Sequence, residues 1–349
     1  MKIDVAAESP IERLALTLRL VPTPVFHTIV PMVAVRALLV GTKLGVFEAL
    51  GQDPLTAAGV AAKLGTEPAA TEKLLNALAG LGYLRAGSNG FALSAEARRW
   101  LVSDSPRSLR DFILEQEMDI RQWLEHLEDF VRTGHGVQVH EDLSDDAWGV
   151  YQRVMRSIAG MSGAEVARRV PVPTGARQML DICGSHGYYS VVICRRHPGL
   201  RSVVLDLPQA IRHAAPLLAR EGMGDRVVHR AGDATTDDFG AAAFDLVLIA
   251  HAVHHFDAPA NRDLARRAAH ALRPGGLFVI LDFVRPRSPN DAGQVGTLND
   301  LFFALTSAAG TWSSEELAEW QRGAGLEPRK PIPMRTMPDA VIQAAVKPR

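Results

Sequence analysis

Cysteine is almost missing: Cys183 and Cys194 are the only two in 349 residues. Two thiols give no disulfide framework and suit a reducing compartment. Aromatic residues make up only 6%, and the charges nearly cancel, with 38 Lys and Arg against 39 Asp and Glu for a formal net charge of -1. Without an excess of positive charge there is no global field to hold nucleic acid or anionic lipid, so any partner must be chosen by a local site. Long apolar runs are missing too. The stretch from Leu14 to Val40 is interrupted by Arg19, Pro22, Pro24, Pro31 and Arg36, and the opening MKIDVAAESP lacks the basic and apolar blocks of a secretory signal. A soluble, cytoplasmic protein is the expectation. What remains is average for a globular chain, 47% hydrophobic and 22% charged, with length for about two domains.

The first 110 residues carry short helical patterns. Apolar residues recur at helical spacing from Val33 to Leu50, with Gly51 and Pro54 as punctuation. Two further helices are expected over Leu55 to Leu64 and Glu67 to Leu81, the second with Thr66 as N-cap and Pro68 in its first turn. GYLRAGSNGFALS follows, two β-prone runs around Asn89-Gly90 that read as a hairpin. Helix, turn, helix, hairpin is the order of a winged helix. DNA contact would need Lys and Arg on the second helix, whose window holds Glu67, Glu72 and Lys73 and no arginine. Its apolar neighbours fit a protein–protein surface better.

Residues 111–150 hold 11 acidic and 2 basic residues among helically spaced Phe112, Ile113, Ile120, Trp123, Leu124, Leu127, Phe130 and Val131. The acids are therefore read as a solvated outer face. Residues 150–170 continue as a helical connector. Three segments result: 1–110 as a winged-helix domain with a protein–protein surface, 111–170 as a helical connector, and 171–349 as a third segment of different pattern.

From Met179 onward, short β-branched runs alternate with helical stretches, which implies βαβ units and a doubly wound, mostly parallel sheet. Ligands of such sheets sit at the carboxyl ends of the strands. The first run ends in Asp181-Ile182-Cys183-Gly184-Ser185-His186-Gly187, where glycines permit a tight turn at a helix start. This is not the G-x-G-x-x-G fingerprint, which disfavours an NAD dehydrogenase. The second run ends in Asp206-Leu207-Pro208, the third in Gly232-Asp233-Ala234, the fourth in Ala250 and His251-Ala252-Val253-His254-His255-Phe256, and the fifth in Asp282. Acids ending several successive strands are poorly explained by packing, since a lone carboxylate beside a sheet is costly. The three histidines lack a carboxylate or cysteine at ligand spacing, so no metal site is expected. Cys183 and Cys194 are read as small buried residues.

The series LDICGSHGYYS, VVLDLPQAI, VVHRAGDAT, FDLVLIAHAVHHF, ALRPGGLFVILDFV resembles class I S-adenosylmethionine-dependent methyltransferases. With a winged helix in front, it is similar to the small-molecule O-methyltransferases that include plant caffeate and flavonoid enzymes and bacterial polyketide-tailoring enzymes, over about residues 20–330. The resemblance implies a Rossmann-like α/β domain of the class I methyltransferase type behind a mainly α winged-helix domain, and a homodimer. It implies S-adenosyl-L-methionine held by Asp181, Gly184, Gly187, Asp206, Leu207, Asp233, Ala234 and the Ala250 position. It implies His254 as general base with Asp282 orienting it, and Met155, His255, Phe256, Phe302 and Phe303 around the acceptor. Three positions depart from that pattern: Cys183 stands where glycine is usual, Ala250 where a basic residue is common, and Ala309 where a second carboxylate is usual. Histidine suits proton removal because its ordinary pKa of about 6.5 lies near working pH.

The reaction expected is methyl transfer to a hydroxyl of an aromatic or polyketide-like small molecule. Transfer to carbon or nitrogen, or a relative without methyl transfer, is the alternative among enzymes. A winged-helix regulator sensing a nucleoside-like ligand is the alternative of another class. No nucleic-acid or membrane partner is expected.

Overall fold

The computed structural model describes residues 3–137, 143–307 and 309–349. The chain forms two compact units that divide inside one long helix, between Ile120 and Arg121.

The N-terminal unit contains α1 (Pro10–Thr17), α2 (Thr23–Phe26), α3 (Ile29–Leu44), α4 (Val46–Leu50), α5 (Ala57–Leu64), α6 (Pro68–Gly80), the hairpin β1 (Leu84–Gly87) and β2 (Gly90–Leu93), α7 (Ala95–Trp100) and the start of α8 (Arg110–Thr133). The single helix expected over residues 33–50 is two, because Gly45 takes the left-handed conformation at φ +82° and ends α3. The cap of α6 also differs from expectation. Glu67, not Thr66, accepts the amides of Ala69 and Ala70, while Thr66 shares a hydroxyl bond with Thr71. A core of Val46, Phe47, Leu50, Val60, Leu75 and Leu78 closes against Leu84, Phe91 and Leu93 of the hairpin. In contrast, Ile11, Leu14, Ile29, Val30, Met32 and Val33 are all more than half exposed. The stretch Thr23–Leu44 is long and apolar enough to cross a membrane, and most of it is unburied within one chain.

Along α8 the solvated acidic face holds only in part. Burial, followed by the charges of Asp119 and Asp111, pushes the Glu115 carboxyl up to about 8, and burial raises Asp119 as well. Conversely Leu124 and Val131, assigned to the apolar face, are exposed. Residues 138–142, within the acidic segment, lie outside the described residues.

The C-terminal unit holds α9 (Asp145–Arg169), β3 (Gln178–Ile182), α10 (Tyr188–Arg196), β4 (Arg201–Asp206), α11 (Pro208–Ala219), β5 (Val227–Ala231), β6 (Phe244–Ala250), α12 (Ala258–Ala271), β7 (Leu272–Phe283), α13 (Pro289–Thr306), α14 (Ser314–Gly323), β8 (Glu327–Pro328), β9 (Ile332–Pro333) and β10 (Ala340–Val346). The sheet order is β5-β4-β3-β6-β7-β10-β8, with β9 on β10. β3 to β7 run parallel, and β10 enters antiparallel beside β7, pairing Val341 with Asp282. One sheet face packs Leu246, Val279 and Ile342 under α9, α10 and α11; the other packs Val247, Phe278 and Ile280 under α12 and α14. Strand order reverses between β3 and β6. A crevice is expected at the carboxyl ends of those two strands.

Candidate active site

The turn after β3 is built from backbone that side chains rarely adopt. Cys183 and Ser185 both lie at positive φ, +54° and +53°, and Gly187 at +70° starts α10. A left-handed residue other than glycine costs roughly 1–2 kcal/mol, so other bonds must hold the loop. They do. The Ser185 amide donates to Asp206 Oδ2 at 2.7 Å, its hydroxyl to Gln152 Oε1 of α9 at 2.5 Å, and its carbonyl meets His229 Nε2 at 2.8 Å. The other Asp206 oxygen accepts the Leu207 amide at 2.8 Å. A Cβ on Gly184 would stand 2.6 Å from Val204 and 2.7 Å from the Asp181 carboxyl carbon, so only glycine fits. Cys183 sits at a φ that glycine adopts without cost, which accounts physically for glycine being usual there. Burial raises its thiol well above the ordinary range, so it remains protonated.

Three acids end three adjacent strands. Asp181 is buried, with Oδ2 accepting the Ser190 hydroxyl at 2.6 Å and Oδ1 meeting no hydrogen-bond partner among the described residues. Burial, partly offset by Ser190 and reinforced by the Asp206 charge, pushes its carboxyl up to about 7. Burial also lifts Asp206 to about 6, against the two amides that lower it. Asp233 turns back on its own loop, accepting the amide and hydroxyl of Thr235, and the Ala234 carbonyl accepts Arg267. Met155 lies one turn from Gln152 on α9, and its carbonyl bonds the buried His186 imidazole.

At the ends of β6 and β7 the structure brings His254 and Asp282 together. Nδ1 of His254 is 2.8 Å from Asp282 Oδ1, and both residues are fully buried. Asp282 also accepts the amides of Val253 at 3.1 Å and Phe283 at 2.8 Å. Burial works to raise its carboxyl, but His254, His251 and the Phe283 amide outweigh it and leave the group below the usual range. An ionised carboxylate on Nδ1 fixes the proton there and leaves Nε2 as the basic nitrogen.

The turn carrying His254 is clamped from two sides. The Val253 carbonyl accepts Asn261 Nδ2 at 2.9 Å and Trp312 Nε1 at 3.0 Å. The sequence marks Trp312 only as an apolar pocket or core residue and does not mark Asn261 at all, because a bond to a backbone carbonyl leaves no trace in spacing. The His255 ring lies tilted 4.1 Å from that of His254, and Phe256 packs into the core beneath the turn. From α13, which is broken at Gly293 by φ +62°, Phe303 lies 4.4 Å from the His254 ring, and Phe302 stands edge-on to Phe303 and stacks on Trp123. Ala250 closes β6, half-buried. Ala309 brings no carboxylate; nearby, Thr311 donates to Asp300 of α13.

His251 was weighed only as a metal ligand. It stands at φ +53°, its amide held by the Leu281 carbonyl at 2.7 Å, with its ring between Tyr189 and Phe283. Both ring nitrogens are buried and meet no hydrogen-bond partner among the described residues. Leaving such a group unpaired costs about 1–3 kcal/mol. Burial drives this imidazole down to about 4, so it is neutral.

Residues 117–327 match the family described as the O-methyltransferase domain, and residues 26–103 the O-methyltransferase dimerisation domain. Among curated relatives, the acetylserotonin O-methyltransferase of Mus musculus is 30% identical over 304 residues, covering 81% of this chain and 77% of its own. The O-demethylpuromycin-O-methyltransferase of Streptomyces alboniger is 26% identical over 317 residues, 87% and 84% of the two chains. Among solved structures, human N-acetylserotonin methyltransferase in complex with SAM superimposes with a TM-score of 0.82 at 20% identity, over 99% of this chain and 100% of that one.

Proposed function

The chain belongs to the O-methyltransferase family, and from that premise we propose that it transfers a methyl group from S-adenosylmethionine to a hydroxyl of an aromatic small molecule, with His254 as base. The observation that carries this reading is the buried His254–Asp282 pair at the crevice. S-adenosylmethionine supplies, when bound, a methyl already activated on a sulfonium. The chain's residues suit such a cation. Asp181 offers a buried, unbonded carboxylate oxygen, Gly184 leaves room where any side chain would intrude, and Asp206 can accept ribose hydroxyls while keeping its two amide bonds. Leu207, Asp233, Ala234 and Ala250 border the same strand ends.

The work left to the protein is alignment and deprotonation. His254 Nε2 takes the proton of the acceptor hydroxyl. Asp282 keeps the opposite nitrogen protonated and steadies the imidazolium that forms. Phe302, Phe303, His255 and Met155 would form a mostly apolar wall for a flat acceptor and exclude water, with Phe256 packed beneath the turn. Residues 1–110 would form the homodimer contact, 111–170 the connector and 171–349 the cofactor domain.

His254→Ala tests the reading directly. Turnover of a phenolic acceptor should fall by about 10²- to 10⁴-fold, with S-adenosylhomocysteine affinity, measured by calorimetry, unchanged. Turnover at the wild-type rate would remove His254 as base.

A further inference from the structure

We infer that His251 recognises the acceptor, hydrogen-bonding a second oxygen carried next to the reacting hydroxyl. The inference rests on the reading of His254 as base and extends it to the substrate.

Buried histidines in folded proteins nearly always have hydrogen-bond partners. His251 is an exception twice over, since neither Nδ1 nor Nε2 has one, although the side chain as a whole keeps 22% of its surface accessible. The nitrogens are covered and unpaired while other atoms of the side chain stay accessible. Its position is fixed, not incidental: a left-handed backbone, an amide tied to β7, and Tyr189 and Phe283 on either side hold it. Strain of that kind persists where the surroundings impose it, and it gathers at ligand sites.

Two imidazoles flank one carboxylate. Nδ1 of His254 lies 2.8 Å and Nδ1 of His251 3.9 Å from the same Asp282 oxygen, the second too long for a hydrogen bond. The two rings are also joined through a chain of aromatic contacts, His251 tilted on Phe283 at 5.2 Å, Phe283 stacked on Phe303 at 5.4 Å and Phe303 tilted on His254 at 4.4 Å. A planar acceptor lying on Phe283 and Phe303 with its hydroxyl at His254 turns its flank to His251. On this inference the second oxygen sits on a ring position neighbouring or peri to the reacting hydroxyl. Because burial keeps His251 neutral, one nitrogen donates and the other accepts, so it pairs with either a hydroxyl or a carbonyl.

The test uses the complex with S-adenosylhomocysteine and two probes, 2,3-dihydroxynaphthalene and 2-naphthol, measured by calorimetry. Wild-type protein should bind the dihydroxy probe about tenfold tighter, as one hydrogen bond in a dry site requires. His251→Phe should bring the ratio to about one, acting through KM in turnover, with S-adenosylhomocysteine affinity unchanged. His251→Leu gives the same readout if the phenylalanine variant is not recovered folded. His251→Asn, which tolerates the left-handed backbone and keeps a donor and an acceptor, should retain part of the preference. An equal affinity of wild type for the two probes, an undiminished ratio in the Phe or Leu variant, or a loss confined to S-adenosylhomocysteine would overturn the inference while leaving the methyltransferase reading in place. Failure of wild type to bind S-adenosylhomocysteine would overturn both.

Discussion

Asp181 and Asp206 hold protons at a pH where carboxylates are ordinarily ionised, because burial lifts them to about 7 and about 6. A group raised in the folded state contributes stability that is complete at low pH and is lost as pH rises through the folded value. Arrival of a cationic ligand reverses the preference and favours the ionised form. Binding of S-adenosylmethionine should therefore release protons near pH 6.5, and affinity should rise from about pH 5 to 7. Calorimetry in two buffers of different ionisation enthalpy reads this directly. Equal heats in both would mean that neither acid titrates on binding. The acids were legible in the sequence because each closes a β-branched run. His251 was not, since its isolation comes from shielding by Tyr189 and Phe283, which are distant in the chain. The clamping bonds of Trp312 and Asn261 were hidden for a related reason: what they bind is a main-chain carbonyl.

Among elements, the hairpin of the N-terminal unit depends on one contact. Leu55 and Phe91 exchange amide bonds at 3.0 and 2.8 Å, bringing the chain so close that a Cβ on Gly90 would lie 2.2 Å from the Leu55 carbonyl oxygen. Gly90 also stands at φ +104°. Gly90→Ala should cost about 3 kcal/mol through the combined clash and strain. Amide exchange at Leu55 and Phe91 should quicken markedly while β3 and β6 remain protected; unchanged exchange would show that the hairpin can shift. Asn-Gly between alternating residues announced this hairpin, and alternation of strand and helix announced β3 to β7. β10 escaped notice. AVIQAAV is buried almost throughout, so it has no polar alternation, and Gln343 satisfies its amide on Arg329, Ala344 and Gln321. The division between α3 and α4 was also missed, since Gly45 inside a periodic run reads as tolerated until its φ is known.

For the molecule as a whole, the apolar surface of α1 to α3 needs a cover. Contiguous exposed patches of this kind mark interfaces, and the matched dimerisation domain begins at residue 26. A second copy is the expected occupant. Ile29→Asp with Val33→Asp should yield the monomer mass by light scattering over a concentration series; a persistent dimer would place the contact elsewhere. The near-neutral charge that gives no global field for nucleic acid says nothing of this surface, because its exposed Ile, Leu, Met and Val side chains are uncharged. A last consequence follows from how the Val253 turn is clamped. Asp282, Asn261 and Trp312 hold the turn that carries His254, and of α13 only Phe303 touches the His254 ring. If His254 is the base, as proposed, α13 around Phe303 can be resequenced in search of new acceptors while the bonds that fix the His254 turn stay whole.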